Sequence, residues 1–180
     1  HRRTHRLTAG RRAGVERVIG GFNEAYTLDD GYRVGHHGAE LVNPDTARMV
    51  PETYEIPEGQ DSMVVLEEDG LKVTAFTVQH PPIVPAVGYR FDYKGRSISI
   101  SGDTIYSETL IEASKGVDLM LHDALSPELL GRITATAREA GLTTRAAILD
   151  DVPAYHATAP QAADAARIAG AKALAITHIV

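Results

Sequence analysis

The residues of this chain best equipped for chemistry are histidines and aspartates that fall where strands would end. The stretch "VTAFTVQ" runs into His80, "SISISG" into Asp103, "VDLML" into His122 and Asp123, and "ALAIT" into His178. A fifth histidine, His156, stands just before Thr158, where a helix would start. Strand ends and helix starts are where a rigid scaffold places side chains that act. If the strands run the same way, all of these groups share one rim of a sheet. Gly-Asp after a strand is common turn punctuation by itself, and one histidine at a strand end is ordinary; the set is not. Imidazole and carboxylate are the donors of a catalytic zinc or similar divalent site, which binds them at about 2.0–2.2 Å. The chain has no cysteine, so thiolate ligation and a cysteine nucleophile are both excluded.

Counting donors exposes a gap. One metal needs three or four protein ligands, and a two-metal site needs about seven or eight. His80, Asp103 and His178 supply three. His36 and His37 are adjacent and would point apart on an extended segment, so they read as loop histidines beside Gly38. His1 and His5 lie in the arginine-rich start and are assigned no role.

The elements that must hold these groups follow from periodicity. Val15, Val18, Ile19 and Phe22 give residues 14–26 helical spacing. Residues 29–60, rich in Gly, Pro, Asp and Asn, read as loop. Strands are expected over 62–67, 71–79, 86–93 and 96–101, paired as hairpins through "EEDGLK" and "YKGR". In "RSISISGDT" Ile98 and Ile100 point one way, and Ser97, Ser99 and Ser101 the other. Ser107 caps a short helix that Gly116 ends, and "VDLML" is a buried strand. A helix over about 127–140 stops at Gly141, and residues 142–155 are ambiguous. Thr158 and Gln161 form a capping box, followed by a narrow face of Ala162, Ala165, Ala166 and Ala169, then Gly170 and the strand "KALAIT". Hairpins followed by alternating helices and strands indicate a layered α/β (α+β) domain with a mixed sheet.

The chain has 180 residues, enough for one domain with a core. Its net charge is −6. Residues 1–12 hold five arginines and no acid, so the remaining 168 carry 13 basic and 24 acidic side chains, a net of −11. An acidic body is a poor partner for a long polyanion. No apolar run is long enough to span a membrane, and the cytoplasm is favoured over secretion without fixing the compartment. The start at His1 and the stop soon after a strand read as the ends of an internal piece of a longer parent protein. The expected partition is an arginine-rich end, 1–12, and a partial domain, 13–180.

The pieces "FTVQHPPIVPAVGYRF", "ISGDT", "LMLHDAL" and "YHATAPQAADAARIAGAKALAITH", with "GVERVIGGFNEAY" more weakly, resemble the metallo-β-lactamase fold hydrolases of the ribonuclease Z and arylsulfatase-like branch. The resemblance implies an αββα sandwich with mixed sheets, present here in part, and a site for two zinc ions, with manganese or iron(II) as alternatives. It makes His80 a ligand of the first metal, Asp103 the carboxylate bridging both, and His178 a ligand of the second. His156 becomes the general acid that protonates the leaving oxygen without binding metal. Thr104, His122 and Asp123 would stand just behind these groups. The family's His-x-His-x-Asp-His would lie upstream of residue 14 and is absent, so this stretch of chain by itself is expected to bind zinc weakly and to be nearly inactive.

The implied reaction is attack on a phosphodiester or sulfate ester by a hydroxide shared between two zinc ions. Ribonuclease Z enzymes carry a long basic arm between the "GYR" strand and "SGDT", and here only "FDYKGRSISI" separates them. They also continue past the last His ligand with a serine and a basic-aromatic pair, where this chain has "THIV". These departures and the acidic body favour a small ester substrate over nucleic acid. A tRNA-processing ribonuclease is the alternative, and a metal-free binding or scaffolding module is the alternative of another class. A homo-oligomer is compatible with either enzyme.

Overall fold

The computed structural model describes residues 2–43 and 48–179; His1 lies outside the described residues. The chain divides into two compact units, His1–Glu55 and Ile56–Val180.

The first unit is helical. Helix α1 spans Arg2–Ala25 and takes in the arginine-rich start. Helix α2 spans Thr27–His37, where the sequence reads as loop, and His36 and His37 form its last turn before Gly38. The pattern misleads because Gly31 and Gly35 imitate a loop, and none of α2 is buried. Its support is local instead. Asp29 and Asp30 stand at the N-terminal end and the histidines at the C-terminal end, matching the helix dipole. Arg33 pairs with Asp29 one turn away at 2.6 Å. Beyond α2, the Asn23 side chain holds the backbone of Met49 at both its N–H and its carbonyl.

The second unit is built on one six-stranded sheet. Its strands are β1 (Ser62–Glu68), β2 (Leu71–His80), β3 (Ile83–Tyr93), β4 (Arg96–Ile100), β5 (Leu119–Ala124) and β6 (Leu174–Ile179), side by side in that order. The first three pairings are antiparallel and the last two parallel. Strands β2, β4, β5 and β6 therefore all point the same way, which is the condition for one shared rim. Asp69-Gly70 and Lys94-Gly95 make the two hairpin turns, each with both residues at positive φ, the conformation whose twist suits a two-residue loop. Strand β3 begins at Ile83, not at residue 86, and Ile83 pairs with His80. Pro85 reads as a break in the sequence, yet it is accommodated near the strand's start.

Helices α3 (Glu108–Ala113), α4 (Pro127–Glu139), α5 (Thr143–Asp151) and α6 (Ala159–Ala169) complete the unit. The ambiguous stretch resolves into α5 and a short 3₁₀ turn, Val152–Ala154. Ser107 caps α3, Ser126 caps α4 with Pro127 in the first turn, and Thr158 and Gln161 form the capping box of α6. These side chains accept the N–H groups that a helix start leaves unpaired. Phe76, Val78, Leu110, Ile111, Val117, Met120, Ala165, Ala166 and Ala169 form the main core, with α3 and α6 packed on the sheet. The serine face of β4 is the buried one: Ser99 is fully covered and bonds Ser114 at 2.8 Å, while Ile98 and Ile100 are more than a third exposed. Small side chains on both partners let the helices lie close. Gly88 obeys the same constraint, since a Cβ there would stand 2.4 Å from the Phe76 ring.

At the opposite rim Asp118 ties three elements together. Lys172 donates to it at 2.8 Å, the Ser97 N–H at 2.8 Å and Arg96 at 3.3 Å. The bond from Lys172, then that from Ser97, leads in holding its carboxyl down to about 2. A carboxyl lowered in the folded state contributes stability above its unfolded value of about 3.9 and loses it as pH falls toward the folded value. The melting temperature of the wild-type chain should therefore drop more steeply from about pH 4 to pH 2 than that of Asp118→Asn. Parallel curves in thermal melts across that range would remove Asp118 from the account.

Candidate metal and proton-transfer site

The co-directional strands bring the strand-end groups to one rim. Asp103 follows β4 through Ser101 and Gly102. Gly102 has φ +64°, and a Cβ there would lie 2.9 Å from the Val87 carbonyl oxygen, so only glycine turns the chain here without strain. His178 lies at a break in the β5–β6 register, between partnered Thr177 and Ile179, with φ +45°. His80 lies beside another break, in the β2–β3 register. Such bulges re-aim side chains at the edge of a sheet.

Asp103, His156 and His178 each place one donor atom within 4.8 Å of the others. His178 Nε2 is 3.5 Å from Asp103 Oδ2, and both side chains are about half exposed. His156 is buried beside them, its ring centroid 5.5 Å from that of His178 and 5.3 Å from that of His80. His80 adjoins this trio without being one of it. Its Nδ1 is 2.9 Å from the Tyr155 carbonyl oxygen, to which it must donate. That bond fixes the tautomer and leaves Nε2 with a free lone pair, the arrangement usual in a metal-binding histidine. The donor set therefore fits a divalent cation of the zinc class.

His156 differs from His80 and His178 in what stands behind it. Its Nδ1 is 2.8 Å from Oδ2 of Asp123, which is 1% exposed. Asp123 also accepts from His122 Nδ1 at 3.0 Å and from the Thr104 N–H at 3.3 Å. Burial works to raise the Asp123 carboxyl, but bonds from His122, His156 and Thr104 outweigh it and hold the group below the ordinary aspartate value. Asp123 is thus a buried carboxylate, and His156 turns Nε2 away from it.

Thr104 is the knot of the rim. It is fully buried, its hydroxyl accepts from the Gln79 N–H at 3.1 Å, and its carbonyl accepts from the Ala157 N–H at 2.8 Å. It thereby joins the end of β2, the Asp103 turn, Asp123 and the segment carrying His156. Tyr106 takes no part, its hydroxyl donating to Asp164 on α6 at 3.4 Å. The sequence places Asp123 near the site, but the spacing "HDA" does not reveal that it holds His156. No larger His/Asp/Glu cluster of this kind occurs among the described residues, and no helix among them is long and apolar enough to cross a membrane.

Residues 27–179 match the β-lactamase superfamily domain. The chain is 28% identical to a ribonuclease Z of Mycobacterium avium over 167 residues, covering 93% of this chain and 52% of that protein. It is 26% identical to a putative ribonuclease Z of Mycobacterium tuberculosis, again over 93% of this chain and 66% of the relative. The chain thus spans about half to two thirds of the length of these relatives. The crystal structure of the short form of human tRNase Z aligns with a TM-score of 0.47 and 24% identity, covering 66% of this chain and 39% of that one. From residue 27 onward, the chain belongs to the β-lactamase superfamily and has the metallo-β-lactamase fold.

Proposed function

We propose that this chain supplies part of the active site of a metal-dependent phosphodiester hydrolase of the ribonuclease Z kind. The observation that carries this reading is the buried Asp123 carboxylate holding His156 beside Asp103 and His178. His80, Asp103 and His178 would hold two divalent cations, zinc first among them, together with ligands from elsewhere in the parent protein. When bound, such cations act as Lewis acids, lowering the pKa of coordinated water and offsetting charge in the transition state.

The protein's own groups do the rest. Asp103, whose carboxylate is about half exposed beyond the end of β4, would be shared between the two cations. His156 holds a proton at Nε2 and delivers it to the departing oxygen. Asp123 keeps the imidazole in the right tautomer and stabilises its cationic form, the task of the orienting carboxylate in acid–base pairs generally. A metal-free scaffold would have no use for an imidazole so oriented at an open rim.

The identity of the relatives favours RNA as substrate over the small ester that the sequence suggests. A second reading rests on one observation: β3 and β4 are joined by the tight Lys94-Gly95 turn, with no arm between them. Measuring kcat/KM of the parent protein at physiological salt on precursor tRNA and on an aryl phosphodiester separates the two. The expected result is a higher value on precursor tRNA, falling as salt rises because the substrate is held through its phosphates. A higher value on the aryl ester would replace the ribonuclease reading with the small-ester one.

A further inference from the structure

His122 is buried with 0% exposure on β5, between β4 and the edge strand β6. Its Nδ1 lies 2.7 Å from the Asp123 carbonyl oxygen and 3.0 Å from Asp123 Oδ1. Its other nitrogen, Nε2, is the single buried side-chain N or O atom without a hydrogen-bond partner among the described residues. A bare buried nitrogen costs free energy that an apolar side chain of similar size would not. Packing alone therefore gives no reason for histidine here, and the Nδ1 bond does.

The Asp123 carboxylate is held from two sides. Oδ1 takes His122 Nδ1 at 3.0 Å, an N–H it shares with the Asp123 carbonyl oxygen at 2.7 Å, and Oδ2 takes His156 Nδ1 at 2.8 Å and the Thr104 N–H at 3.3 Å. An ionised carboxylate only accepts, so both imidazoles must present N–H at Nδ1. With Oδ1 held by the shared His122 N–H, rotation of the carboxylate about its own axis is restrained, and Oδ2 stays aimed at His156. We infer that His122 is a positioning residue: through Asp123 it fixes the tautomer and orientation of His156. The inference rests on the proposed function only for its purpose, since the pinning itself concerns this chain without metal.

The test uses the 180-residue chain with ¹⁵N-labelled histidine. Long-range ¹H–¹⁵N spectra report which nitrogen of each ring is protonated and how fast the His156 Nδ1 proton exchanges with water. In the wild-type chain both His122 and His156 should be protonated at Nδ1, with the His156 proton protected. His122→Asn places an amide N–H near the position of Nδ1 and should keep that protection. His122→Leu removes the donor and should speed exchange of the His156 proton at least about tenfold, or mix its tautomers. A wild-type His122 protonated at Nε2 would overturn the proposal, and this result does not depend on any variant folding. So would a folded His122→Leu chain with the His156 proton as protected as in wild type. Full activity of the parent protein after His156→Ala would instead sink the general-acid reading while leaving the pinning intact.

Discussion

Replacing Asp103 by alanine is expected to abolish hydrolysis by the parent protein and to strip its metal in the same step. Asp103 stands at the end of β4 with its carboxylate about half exposed and 3.5 Å from His178 Nε2. A carboxylate shared by two cations is a ligand of both, so its loss weakens both positions at once. Removing a group that only supports a ligand costs 10–100-fold in metal affinity or activity. Loss of the shared ligand should exceed that, lowering kcat/KM by more than about 10²-fold. Metal content after extensive dialysis, measured beside kcat/KM, checks the claim. If Asp103 is only a turn residue after Gly102, the variant will keep its metal and its rate, and the proposal falls.

His156 should fail differently. Its Nδ1 is committed to Asp123, and Nε2 is the nitrogen left for the rim. His156→Ala should leave metal content intact while lowering kcat by about 10²–10⁴-fold, the range for a positioned general acid. The loss should shrink on an ester whose leaving group is nitrophenolate, which departs without protonation, and be full on one that releases an alkoxide. An equal loss on both esters, or zinc lost along with activity, would count against proton transfer. Because His156 is also buried under the start of α6, the melting temperature belongs in the same experiment. A large drop in stability with no dependence on leaving group would make His156 a packing residue.

The parts of this fold that the sequence revealed are those where one physical signal dominates. Strands β2, β4, β5 and β6 show as apolar or alternating runs; His80 ends β2 and Asp103 follows β4, whereas β5 runs on through His122 and Asp123 to Ala124 and β6 through His178 to Ile179. His80, Asp103 and His178 could be placed near strand ends from the sequence, and on a common rim only on the condition that the strands run the same way, which the pairings of the sheet meet. The capping box at Thr158 and Gln161 and the small-residue face of α6 were legible for the same reason. Helix α2 was not, because its Gly31 and Gly35 imitate a loop. The start of β3 was hidden by Pro85, and alternation in β4 separates the serines from the isoleucines without saying which face is buried. Asp123 was named near the site, but that it holds His156 was not legible. Alternation puts adjacent strand residues on opposite faces, but it does not reveal that the segment carrying His156 returns over the end of β5, which the pairing of the Ala157 N–H with Thr104 brings about. That contact joins residues 53 positions apart, and no local pattern encodes it.

The central claim is that metal and proton donor are separate at this rim: His80, Asp103 and His178 bind, and His156 stands beside them unligated. The three groups whose donor atoms lie within 4.8 Å include His156, so the distinction needs a direct look at the metal. Anomalous diffraction at the zinc edge from crystals of the parent protein provides it. Two peaks are predicted, both in contact with Asp103, one reached by His80 and the other by His178, with Nε2 of His156 outside coordinating distance of either. A peak bound to His156, or no peak at Asp103, would contradict the account.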